Sequence, residues 1–135
     1  MVDVSTGKAE FLQRISTLPE NHGESTCAAV KMSEDGRYLY ASNRGDDSIA
    51  AFGVDEETGL LNLIQIQETG GRGPRDFLIL EDIILAANQD SGRITMLHRD
   101  EVTGLLAPEP RYMECHAPVC LVAAAADGIA IQSHQ

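Results

Sequence analysis

The chain repeats itself. Asn43 and Asn88 lie 45 residues apart, as do Ile49 and Ile94, Asp55 and Asp100, and Gly59 and Gly104. The segments SNRGDDSIAAFGVDEETGLL and ANQDSGRITMLHRDEVTGLL share the tail D-E-x-T-G-L-L with one variable position. The N-terminal VDVSTGKAEFLQ echoes the same turn followed by a strand, and Asp127-Gly-Ile-Ala-Ile-Gln stands 45 residues after Asp82-Ile-Ile-Leu-Ala-Ala. A fixed period of this length marks an array of similar supersecondary units, each too small to bury its own apolar surface.

Each unit reads as four short strands. In the first full copy they are 27–32 (CAAVKM), 37–43 (RYLYASN), 48–54 (SIAAFGV) and 61–67 (LNLIQIQ). Ser33-Glu34-Asp35-Gly36, Gly45-Asp46-Asp47 and Glu56-Glu57-Thr58-Gly59 separate them, and Gly-containing turns of this length are hairpin chemistry. The second copy has a tighter first hairpin, because Glu81-Asp82 stands where the first has Glu34-Asp35-Gly36-Arg37. No helix is expected; Leu121–Ala126 is alanine-rich but aligns with the first strand of a repeat. Pieces such as CAAV and IAAF are apolar on both faces, which suits strands sandwiched between neighbours.

Four antiparallel strands per period of about 45 residues is the size of a β-propeller blade. The fold expected is therefore all-β, a partial β-propeller. Its parts are the end of one blade (1–20), two blades (27–72 and 74–113) and the start of a further one (117–135). A β-sandwich of equal strand count is the alternative, but it does not demand a fixed period.

Composition limits the partners. The net charge of −11 argues against nucleic acid and against an anionic membrane surface. A small anionic ligand remains compatible, because a few arginines can make a local positive pocket. Aromatic residues are only 4% with no tryptophan, so aliphatics and alanine must fill the core. The N-terminal MVDVSTGKAE has no apolar signal core and the chain has no run of about 18 apolar residues, so it reads as soluble and cytoplasmic. Cys27, Cys115 and Cys120 form no even framework, and Cys115-x4-Cys120 lacks a second ligand pair for zinc. No metal or cofactor is expected.

The segments ISTLPENHGESTCAAVKMSEDGRYLYASNRGDDSIAAF, GGRGPRDFLIL, ILAANQDSGRITMLHRD and APVCL, in this order and spacing, resemble the C-terminal third of the lactonase family of seven-bladed propellers. That family includes propeller-type 6-phosphogluconolactonases and carboxy-cis,cis-muconate lactonizing enzymes. The resemblance covers about residues 6 to 122. It implies that the intact ring hydrolyses a sugar-acid lactone such as 6-phosphogluconolactone, or makes the related bond in the opposite sense as a muconate-type cyclase. A ring of seven blades needs about 300 residues or more. Two blades and two partial ones leave edges and faces bare, so a non-catalytic binding module, or self-association through those edges, is the reading from another class.

Arg44, in SNRG at the end of a second strand, is the leading catalytic candidate. A guanidinium there can hold a carboxylate or phosphate in a fork, or stabilise the oxyanion formed as water attacks a lactone carbonyl. The resemblance places this arginine in the substrate cleft. The plain alternative is a turn arginine paired with Asp46 or Asp47. Arg75, in GPRDF, is the second candidate, for substrate contact or for an ion pair with Asp76 or a neighbouring blade. Asn43 and Asn88 are candidate substrate contacts, although recurrence at one blade position favours a structural task for both. Arg44 and Gln89 are likewise repeat equivalents.

Among the histidines, His98 is expected on an exposed outer face. His116 stands before an inner strand, and His22 lies in a loop over one face. No serine or cysteine nucleophile with a base at recognisable spacing is present. The histidine and glutamate that the resemblance implies as further catalytic groups belong to earlier blades.

Overall fold

The computed structural model describes residues 2–124 and 128–133, with side chains described up to Ala124 and at Ser133. Twelve strands and no helix are present among them: β1 (Val2–Asp3), β2 (Lys8–Ala9), β3 (Thr26–Met32), β4 (Tyr38–Arg44), β5 (Ser48–Val54), β6 (Leu61–Glu68), β7 (Pro74–Leu80), β8 (Ile83–Asn88), β9 (Arg93–Arg99), β10 (Leu106–Glu114), β11 (Pro118–Ala124) and β12 (Gly128–Ser133). The alanine-rich Leu121–Ala124 is strand, as the repeat requires; Ala125 to Asp127 lie outside the described residues, as does His134.

The strands form two complete antiparallel meanders, β3-β4-β5-β6 and β7-β8-β9-β10, and two pairs, β1-β2 and β11-β12. Each meander is one propeller blade with its first strand innermost. The inner strands follow one another in space: β7 packs against β3 and β4, and β11 packs against β7 and β8. The hairpin between β7 and β8 is the shorter one, with Leu80 paired directly to Ile83 across Glu81-Asp82.

Alternation explains why the middle strands are apolar on both faces. Successive side chains point to opposite sides of a sheet. Tyr40, Ile49 and Ala51 join Phe77, Ile84, Ala86, Leu97 and Leu106 in the core between the two blades. Their neighbours Ala41, Ala50 and Phe52 face the other way and pack with Ile15, Leu61 and Ile66. On the far side of the second blade, Leu85, Ala87 and Ile94 pack with Leu121 of β11. The CAAV stretch departs from expectation. It is apolar like IAAF, yet Cys27, Ala28 and Val30 on β3 are exposed, because no strand among the described residues covers that side.

The repeated D-E-x-T-G turn has a local cause. Asp55 Oδ1 accepts from the backbone N–H of Glu57 and Thr58 and from Thr58 Oγ1, and Gly59 closes the turn at φ 72°. Asp100 accepts from Val102 and Thr103 N–H, with Gly104 at φ 74°. The N-terminal echo has the same form: Asp3 caps Ser5, and Gly7 N–H donates to Asp3 O, as Gly59 does to Asp55 O and Gly104 to Asp100 O. An aspartate that caps its own turn and a glycine that accepts positive φ are what this loop requires.

A second recurrence locks blade to blade. Gln65 on β6 receives the Leu106 N–H through Oε1 and donates to Leu106 O through Nε2. Gln13 treats Leu61 identically. Residues around Gln13 therefore occupy, for the first blade, the place that β6 occupies for the second.

Candidate functional site

Antiparallel register sets which residues share one end of the blades. Thr26 pairs with Arg44, Asn43 with Ser48, Pro74 with Asn88, and Asn88 with Arg93. The starts of β3, β7 and β11 and the ends of β4 and β8 thus lie at one end of the stack. Arg44, Arg75, Gln89, the connection Thr69–Gly73 and the exposed His116 are all at that end. His22 lies in the connection leading to β3, with Nδ1 2.7 Å from Gly23 O. His98 is exposed on β9, within the second blade, as expected.

Arg44 is half-buried, and its Nε is buried with no hydrogen-bond partner. The turn-pairing alternative is not what the structure contains. Asp46 accepts from Ser48 Oγ, and Asp47 Oδ1 accepts from Gly45 N–H at 3.2 Å and Gly73 N–H at 2.9 Å. Asp47 reaches these donors from φ 55°, an unusual conformation for a non-glycine residue. Both carboxylates are committed to the loops, and neither pairs with Arg44.

Arg75 is exposed, and its Nη1 donates to Gln89 Oε1 at 3.1 Å. Its sequence neighbour Asp76 does not pair with it. Asp76 Oδ1 lies 2.9 Å from Lys31 Nζ on the first blade, and Asp76 Oδ2 accepts the Leu121 N–H of β11 at 2.8 Å. One carboxylate thereby ties three successive inner strands together. The Lys31 ammonium also stands 5.6 Å from the centre of the Phe77 ring.

The contrast with the other cations is informative on a chain this acidic. Arg37, Arg93, Arg99 and Arg111 each have an acidic partner, respectively Asp35, Glu114, Glu101 and Glu109. Arg44, Arg75 and Arg72, all at the same end of the blades, have none among the described residues; Lys8 and Arg14 of the N-terminal segment share that property.

Asn43 and Asn88 are both fully buried. Asn43 accepts from Thr17 Oγ1 and donates to Thr17 O and Ser48 Oγ. Asn88 accepts from Thr69 Oγ1 at 2.8 Å and donates to Thr95 Oγ1 at 2.8 Å and Ala86 O at 3.1 Å. Each asparagine thus latches the chain that enters from the preceding outer strand. Gly71 passes so close to Asn88 that a Cβ there would lie 2.6 Å from the amide nitrogen. The threonines of these latches escaped the sequence reading, although Thr17 and Thr69 both follow an outer-strand segment, with Gln13 and Gln65 four residues earlier in each.

A cleft of about 640 Å³ opens between the blades at the same end, lined by Asp46, Asp47, Glu68, Arg72, Asp90 and Arg93 among others. Neither Arg44 nor Arg75 lines it. With four carboxylates against two guanidiniums it repels anions, so it is not where an acidic ligand is expected to bind. Among the described residues no group of three or more His, Cys, Asp or Glu is placed to hold a metal ion, and no helix is long and apolar enough to cross a membrane.

Four-stranded meanders with successive inner strands side by side define a run of propeller blades. The sequence matches the family described as lactonase, 7-bladed beta-propeller, over residues 1–123, and the chain belongs to that family. A 6-phosphogluconolactonase of Bacillus subtilis is 33% identical over 120 residues, covering 87% of this chain and 34% of that protein. A Lactobacillus plantarum protein of known structure superimposes with a TM-score of 0.83 at 33% identity, covering 88% of this chain and 36% of that one. A periplasmic gluconolactonase of Pseudomonas aeruginosa gives 0.80 at 27% identity, with 93% and 33% covered. The chain spans about a third of the length of these relatives. Since one of them is periplasmic, family membership does not carry the cytoplasmic expectation with it.

Proposed function

We propose that this chain is the C-terminal part of a propeller lactonase that hydrolyses a sugar-acid lactone of the 6-phosphogluconolactone type once the ring is complete. The observation that carries this reading is the state of Arg44. Its Nε is buried without an acceptor, and the aspartates beside it are committed elsewhere. Arg99 Nη1 is also a buried donor without a partner, but Arg99 has Glu101 beside it, whereas the Arg44 charge has no carboxylate partner and is left for an anionic ligand. Arg75 supplies a second charge at the same end of the blades.

In the reaction, water adds to the lactone carbonyl, the ring C–O bond breaks, and the ring oxygen takes up a proton to leave the open acid. Arg44 stabilises the oxyanion of the tetrahedral intermediate, and Arg75 binds the substrate's phosphate or carboxylate. Asn43 and Asn88, candidate substrate contacts in the sequence, are buried and act instead by holding the ends of β4 and β8, next to Arg44 and Gln89, in place. The general base comes from another blade. A muconate-type cyclase would use the same anion-binding groups to hold a carboxylate while its oxygen adds to a C=C carbon and a proton is delivered to the neighbouring carbon. The setting proposed is the cytoplasm, where the three free cysteines would stay reduced.

A binding-module reading is favoured by one separate observation. Val30 and Met32 on β3, and Tyr112 and Met113 on β10, are each more than half exposed, and such surfaces invite self-association.

A graft separates the readings. Residues 1–123 replace the C-terminal third of the Bacillus subtilis relative, and hydrolysis of 6-phosphogluconolactone is followed by acid release. Turnover well above the spontaneous rate is expected. A folded graft that hydrolyses neither this lactone nor gluconolactone would overturn the hydrolase reading, and lactone formation from a muconate would favour the cyclase.

A further inference from the structure

Gln89 stands one period after Arg44 and takes its place at the end of the second strand of the next blade. The repeat has thus exchanged a guanidinium for a neutral amide, and a guanidinium reappears at that position from a different strand. Arg75, at the start of β7, reaches Gln89 Oε1 with Nη1 at 3.1 Å. The carboxylate next to it in sequence is withdrawn: Asp76 is held by Lys31 on one side and by the Leu121 N–H on the other. An amide orients a guanidinium without cancelling its charge. A carboxylate at residue 89 would orient it equally well and neutralise it.

We propose that Gln89 is a positioning residue that presents Arg75, still fully charged, to the phosphate or carboxylate of the ligand. This rests on the reading that Arg75 contacts the anion, and it adds the device by which the second blade replaces the missing arginine. The amide fixes one edge of the guanidinium, leaving the rest of the fork for a bidentate ligand. Gln89 itself does not touch the ligand.

The test uses the full chain, with 6-phosphogluconate as a non-reacting probe and inorganic phosphate as a second. Binding is read from the Nε–H resonances of Arg44 and Arg75 during titration. Arg75→Ala is expected to weaken 6-phosphogluconate about tenfold, as for an exposed charge-assisted contact. Gln89→Leu should weaken it about threefold to fivefold, and Gln89→Glu about tenfold, by neutralising Arg75. Combined with Arg75→Ala, Gln89→Leu should have no further effect, because it acts only through that arginine. Thermal midpoints of the Gln89 variants should match the parent.

If Arg75→Ala weakens binding while Gln89→Leu stays within about twofold of the parent, the positioning role is refuted and the cleft reading stands. If the effects of Gln89→Leu and Arg75→Ala simply add, Gln89 acts independently and the proposal also falls. If neither Arg44→Ala nor Arg75→Ala alters binding, the anion-cleft reading falls and the positioning role falls with it.

Discussion

Replacing Asn88 with alanine tests whether the buried asparagine is a latch. The side chain is fully buried and makes three hydrogen bonds, to Thr69 Oγ1, Thr95 Oγ1 and Ala86 O. The partners differ in what they lose. Thr69 Oγ1 retains Asp47 O as an acceptor at 3.2 Å, and Ala86 is still paired within the sheet. Thr95 Oγ1 keeps its bond to Thr69 O but loses its donor. At about 1 kcal/mol net per hydrogen bond, with a small void added, Asn88→Ala should cost about 3 kcal/mol. Urea unfolding followed by circular dichroism would read this as a lower midpoint at unchanged slope. Asn88→Asp should be at least as damaging, because it removes the Nδ2 donor and brings a charge into a buried site. A loss below about 1 kcal/mol for Asn88→Ala would refute the latch argument.

Three other outcomes follow from the same structure. Asp76→Asn keeps an oxygen for the Leu121 N–H but loses the charge opposite Lys31. It should cost about 1 kcal/mol, against about 2–3 for Asp76→Ala, as measured by urea midpoints. Gly104→Ala should cost more than about 2 kcal/mol in the same assay, since Gly104 sits at φ 74° and a Cβ there would overlap the Tyr38 ring. Acid should weaken the fold through its turn aspartates. Hydrogen bonds hold Asp55 (first from Thr58 N–H) and Asp100 (first from Thr103 N–H) below the usual carboxylate range, and the Ser33 hydroxyl, followed by the Arg37 N–H, does so for Asp35. Because the folded pKa values are depressed, the unfolded chain binds more protons in this window. Their contribution is present above about pH 4 and is lost as pH falls below it. Urea midpoints between neutral and acid pH should therefore drop below about pH 4, and less steeply for the double variant Asp55→Asn, Asp100→Asn.

How much of this was legible beforehand depends on whether a feature repeats. In the first full copy the pattern marked the strands to within a residue, because β4 and β5 are buried on both faces and bounded by Gly or Asp turns. The aspartate and glycine of the D-E-x-T-G turn were legible because both act within their own loop. The exposure of CAAV was not, since an apolar strand looks the same in sequence whether or not a neighbour covers it. At the site, the recurrence of Asn43 and Asn88 pointed to a structural task, and their burial agrees with one. The partners of Arg75 and Asp76 stayed hidden because each lies on another strand: Gln89 on the chain leaving β8, Lys31 on the preceding blade and Leu121 on the following one. Adjacent charges in GPRDF suggested an ion pair, yet Asp76 is held by Lys31 and the Leu121 N–H while Arg75, at an irregularity in the β7–β8 register, reaches Gln89.

The measurement closest to the central claim is the rate of 6-phosphogluconolactone hydrolysis by the graft with and without Arg44→Ala. Removing one oxyanion contact should lower kcat by about 10²–10³-fold. The thermal midpoint should hold or rise, because the variant also removes an unpartnered buried donor. A rate within about threefold of the parent graft would contradict the assignment of Arg44, and with it the account of Arg44 and Arg75 as anion-binding groups of a lactonase.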